Sequence, residues 1–90
     1  MTRDHIKAVI AKEFQRRYNK NFYDLDEESP VSVLLEIDER IDSLEIVEFL
    51  FDVEDILQLK NVDNADPRTA KIKDIVDQFY NATQEKTQSS

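Results

Sequence analysis

Side chains able to do chemistry are scarce in this chain. It has no Cys, so it offers no thiolate nucleophile, no thiolate ligand for zinc and no disulfide. It has no Gly, which removes the phosphate-cradling loops of P-loop and dinucleotide-binding enzymes. His5, the one histidine, falls among polar residues in the first turn of an expected helix and reads as a surface side chain. Asp24, Asp26 and Glu28 are spaced like the start of a calcium loop. However, Ser29 stands at the sixth position, where that loop needs Gly, and Leu35 at the twelfth, where it needs Glu. No metal site is expected, beyond weak gathering of Mg²⁺ or Ca²⁺ by surface carboxylates. Of the hydroxyls, Ser29 and Ser32 have no distinctive context, whereas Asp42-Ser43-Leu44 opens a segment in which every charged residue as far as Leu59 is acidic. No nucleophile here has a base positioned beside it, so catalysis by the chain's own side chains is not expected.

The elements that must position Ser43 follow from the periodicity. Ile6, Val9, Ile10, Phe14 and Tyr18 recur at helical spacing, with Thr2 or Asp4 to cap the start. Lys7, Lys12, Arg16 and Arg17 fall largely off that stripe and read as a solvated face. A long acidic loop follows from about Asn19 to Asp42, with Pro30 in it and an aliphatic stretch from Val31 to Ile37 that holds it to the core with about one helical turn. A second long helix is expected from Ser43 to Leu59, capped by Asp42 or Ser43. Asp66-Pro67 suggests a short third helix. Ile72, Ile75, Val76, Phe79 and Tyr80 mark the last one. Residues 83–90, TQEKTQSS, hold no apolar side chain and read as a disordered tail to a domain spanning 1–82. The fold class expected is an all-α bundle of three longer helices and one short one. Tyr18, Tyr23 and Tyr80 read as residues at the rim of its core.

Charge and length exclude whole classes of function. Ninety residues make one domain, and 12 Lys+Arg against 20 Asp+Glu give a net charge of -8. That sign is wrong for a general nucleic-acid binder. No apolar run is long enough for stable membrane insertion, and the charged start lacks the apolar stretch of a signal peptide, so a soluble, cytoplasmic monomer is expected. The charge is also uneven: residues 1–20 carry six basic and two acidic residues, whereas residues 21–60 carry thirteen acids against Arg40 and Lys60. Such a middle suits a basic partner.

The expected second helix is apolar on two sides. Ile46, Phe49, Leu50, Val53 and Leu57 form one stripe, and Leu44, Val47 and Phe51 form another at i, i+3 and i+7. Either the long loop covers the second stripe or it is exposed to a partner, with the surrounding acids steering and the apolar residues holding.

Asp42-Ser43-Leu44, continued as DSLEIVEFLFDVEDILQL, resembles the start of the second helix in the acyl carrier protein family. The resemblance extends over most of the chain: a basic-leaning first helix, a long loop, an acidic second helix, a short third helix and a last helix ending near Tyr80. It implies that Ser43 carries 4′-phosphopantetheine, transferred from coenzyme A by a phosphopantetheinyl transferase of the holo-acyl-carrier-protein synthase type, with Asp42 and Leu44 as its flanking motif residues. It further implies that acyl groups ride as thioesters on that arm. Glu45, Val47, Glu48, Phe51, Glu54 and Asp55 would dock on basic patches of acyl-transferring, condensing or ligase enzymes of fatty-acid, polyketide or related biosynthesis. A helix N-terminus tolerates a phosphodiester through its unpaired N–H groups and dipole. The family's glycine two residues before the Asp is Arg40 here, and the run before it, VLLEIDER, matches only loosely. Aminoacyl and peptidyl carriers share the same arm, and an acidic interaction module that is never modified would share the same charge pattern.

Overall fold

A computed structural model describes residues 2–59 and 69–88. Its helices are α1 (Arg3–Tyr18), the single-turn α2 (Leu34–Ile37), α3 (Ser43–Ile56) and α4 (Ile72–Gln88), and no strand occurs among the described residues. The all-helical bundle expected from the periodicity is present. The short helix expected after Asp66-Pro67 lies outside the described residues.

Helix α1 begins where the Thr2 hydroxyl accepts the His5 N–H and ends at Asn19, whose left-handed backbone returns its N–H to the Gln15 carbonyl. It packs against both α3 and α4. Its apolar stripe is buried as Ile6, Ile10, Phe14 and Tyr18, with Ala11 added. Phe14 is the hub of the core, meeting the rings of Tyr18, Phe22 and Phe49 edge to face at centroid separations of 5.1, 5.5 and 5.8 Å. Such contacts add to the stabilisation from burial alone.

The long connection is more ordered than a loop with one helical turn. Phe22–Asp24 and Val31–Val33 form 3-10 turns, and the second runs directly into α2. Phe22, Val31, Leu34 and Ile41 are buried, so the connection contributes apolar side chains to the core. It is also tied by its backbone to the entry of α4: Val31 N–H donates to Ala70 O at 2.8 Å, Ile72 N–H to Ser29 O at 2.9 Å and Lys73 N–H to Glu27 O at 3.0 Å. The Asp74 carboxylate accepts the Lys71 N–H at the start of α4, which is the back-reaching half of a capping box.

Two helix ends depart from the expectation. Helix α3 stops at Ile56 instead of Leu59, because Gln58 turns left-handed, with φ at 57°. Gln58 N–H donates to Asp55 O and Leu59 N–H to Glu54 O, the paired bonds of a Schellman motif. Leu59 is thereby folded back into the core next in sequence to an exposed turn. Helix α4 runs on to Gln88 where a tail from Thr83 was expected. Thr83 is buried, and its hydroxyl donates to Tyr80 O at 2.7 Å. No Gly or Pro interrupts residues 83–88, and Gln84, Glu85 and Lys86 favour helix.

Candidate functional site

The start of α3 is built by three residues with separate tasks. Asp42 is the cap: its Oδ1 accepts the Glu45 N–H at 2.8 Å and its carbonyl accepts the Ile46 N–H. Ile41 and Ile46, at the two positions of a hydrophobic staple, are both buried and fix how the chain enters the helix. Ser43, the first residue of α3, is exposed, and its hydroxyl is left out of the cap that Asp42 makes. Leu44 follows at 65% exposure. The three residues singled out from the sequence are therefore together and open at one helix end.

Arg40 stands where the resembled family has glycine, and it has a structural task. Its guanidinium donates to both Asp38 carboxylate oxygens and reaches the Tyr18 carbonyl at 3.2 Å. A cation at that carbonyl complements the negative end of α1. The segment leading to Ser43 is thus tied to the C-terminus of α1. The Asp38 carboxyl is held down at about 2, chiefly by the Arg40 side chain and then by its backbone N–H.

The second apolar stripe is exposed: Leu44, Val47 and Phe51 show 65%, 37% and 54% of their surface. The long connection does not cover it. With about 3.6 residues per turn, Glu54 borders the strip on one side, and Asp55 and Glu48 border it on the other. Leu35 of α2 is exposed as well, as is Ile56, which lies on the other side of α3 from the strip.

Glu45 also has partners inside the bundle. Its carboxylate turns to α1, accepting from Arg17 Nη2 at 2.6 Å, from Arg17 Nε at 3.2 Å and from the Tyr18 hydroxyl at 3.0 Å. Arg17 also bonds Asp52 and lies 3.9 Å from Glu48. Arg17 is therefore mostly covered and belongs to the interface between α1 and α3, not to a solvated face. Lys7 is similarly drawn in, donating to Glu27 at 2.6 Å. The signal for Arg17 in the sequence is the row Glu45, Glu48 and Asp52 at i, i+3 and i+7: three acids on one side of a helix call for a cation opposite. His5 is exposed, as expected.

A solvent-open cleft of about 400 Å³ lies between the end of α1 and the long connection, with Phe14, Leu25 and Ile37 as its apolar lining and Asn19, Lys20, Asn21 and Asp24 as its polar lining.

Comparison of the chain with protein-family models, with curated proteins and with solved structures finds no match.

Proposed function

We propose that this protein is a carrier of the acyl carrier protein kind, its four-helix arrangement included, with Ser43 as the attachment point of 4′-phosphopantetheine. The observation that carries the reading is the division of labour at the start of α3. Asp42 makes the capping bond, which releases the Ser43 hydroxyl for modification at an exposed helix N-terminus. In attachment, the Ser43 oxygen attacks the β-phosphate of coenzyme A within a Mg²⁺-dependent transferase. A Ser43 O–P bond forms, the bond to the nucleotide breaks, and the hydroxyl proton passes to a base on the transferase. The arm supplies a thiol that holds an acyl group as a thioester, a function no side chain of this Cys-free chain can perform.

The chain's own residues orient and present. The helix N-terminus lends positive potential to a phosphodiester. Leu44, Val47 and Phe51 give an apolar strip beside Ser43, and Glu48, Glu54 and Asp55 flank it with negative charge. A partner enzyme with a basic patch around an apolar centre fits this surface.

Intact mass after incubation with coenzyme A, Mg²⁺ and a promiscuous phosphopantetheinyl transferase tests the reading, beside Ser43→Ala. One phosphopantetheine increment on the wild type and none on the variant is expected. No increment with several transferases, on folded protein, overturns it. The exposed strip would then mark an acidic interaction module in which Ser43 is only the first residue of a helix.

A further inference from the structure

Arg17 bonds Glu45 and Asp52, which lie beyond Glu48 from the exposed strip, and comes within 3.9 Å of Glu48 itself. Around α3, Glu48 sits between the exposed apolar strip and Asp52, with Glu45 beyond and turned to α1, so Glu48 and Asp52 extend the acidic edge of the strip toward Arg17. Arg17 reaches all three from α1: Glu45 at 2.6 Å, Asp52 in a direct bond and Glu48 at 3.9 Å. Its side chain is only 17% exposed, whereas those of Glu48 and Asp52 are 54% and 42% exposed. The Glu48 and Asp52 carboxylates are thus open to solvent while Arg17 approaches them from the covered side.

We propose that Arg17 is a built-in competitor for the cations of a docking partner, setting how tightly the α3 surface holds a basic amphipathic helix. The inference rests on the docking reading above and adds its regulation. A partner Lys or Arg arriving at Glu48 and Asp52 must share them with Arg17. A bound partner draws these carboxylates forward and loosens the contact between α1 and α3. Residence on the surface is therefore limited, as a protein that visits successive partners requires. The apolar strip supplies attraction that Arg17 does not oppose.

The test uses a synthetic helical peptide of Lys and Leu, with Leu at i, i+3, i+4 and i+7, titrated into the full chain. Arg17→Gln should bind it about threefold tighter or more at low salt, because a single charge within several Å of the contact is worth on the order of that factor. The gain should vanish near 1 M salt, where screening acts over about 3 Å. Lys12→Gln removes the same charge from an exposed position of α1 and should have a much smaller effect. Equal gains from both variants overturn the proposal in favour of net charge alone. In the wild type, where no variant needs to fold, the Arg17 Nε–H resonance should shift and exchange faster on saturation with peptide. An unmoved resonance overturns the competitor role. If Phe51→Gln weakens binding while Arg17→Gln leaves it unchanged, only the competitor role fails. If no form binds the peptide, the docking reading fails with it.

Discussion

The Tyr18 hydroxyl donates a 3.0 Å hydrogen bond to the same Glu45 oxygen that receives Arg17 at 2.6 Å. The last turn of α1 and the first turn of α3 are thereby joined at one atom, next to the cap that Asp42 provides. The contact also holds Tyr18 protonated: burial, then the bond to Glu45 and its negative charge, push the phenol up to about 12 from 10.0. A group raised in the folded state gives stability that is complete below its unfolded value and lost as pH rises through its folded one. The fold should therefore weaken between about pH 10 and pH 12. Tyr18→Phe should cost about 1 kcal/mol at neutral pH, the usual net worth of such a bond, and should flatten the alkaline decline. Urea melts of both proteins from pH 8 to pH 12 measure both effects.

Acid should release a different tie. Glu27 accepts from Arg3 and Lys7, each at 2.6 Å, and Arg3 also bonds Asp77 of α4 at 2.6 Å. The Arg3 bond first, and the Lys7 bond second, lower the Glu27 carboxyl from 4.5 to about 2. A lowered group contributes stability above its unfolded value and loses it as pH falls through the folded one. The loss should fall between about pH 4.5 and pH 2, and Glu27→Gln should remove that part of the acid transition. At pH 7 the substitution should cost about 1 kcal/mol or less, since the partners are partly exposed. Circular dichroism against pH distinguishes the two forms.

A chain without glycine must use other residues at its left-handed turns, and Gln58 is one of the two described residues at positive φ. Gln58→Gly should stabilise the protein by about 0.5–1 kcal/mol, by relieving the Cβ penalty at the C-terminus of α3. The cost of a more flexible unfolded chain offsets part of that gain. A thermal melt raised by a few degrees is the expected result, and a lowered one would mean that the Gln58 side chain contributes more than its backbone conformation costs.

The same residue explains what the sequence conceals. Periodicity reports which side chains a helix buries, so the stripes of α1 and α3 were legible, and the cap of α3 was narrowed to Asp42 or Ser43. It does not report where a helix with no Gly or Pro ends, and apolar Leu57 and Leu59 extend the pattern through a turn that hydrogen bonding closes at Gln58. Nor does it report which charges pair across the bundle. Arg17 and Lys7 look like solvated residues until α3 and the connection bring Glu45, Asp52 and Glu27 against them. At Ser43 the motif was readable, whereas the choice of Asp42 over Ser43 as the cap needed the hydrogen bond from the Glu45 N–H. The exposure of Val47 and Phe51 depended on the path of the long connection.

That exposure separates two phenylalanines two positions apart on α3. Phe49 is buried against Phe14 and Tyr18, whereas Phe51 is 54% exposed. Phe49→Ala should cost about 3–5 kcal/mol, the sum of lost transfer energy and a cavity in the aromatic cluster. Phe51→Ala should change stability by no more than about 0.5 kcal/mol, as surface substitutions do. If Phe51 serves a partner, its replacement should weaken docking while leaving the melt unchanged. Equal stability losses in the two variants would mean that Phe51 is covered in solution, and the strip would then lose its claim as a docking surface.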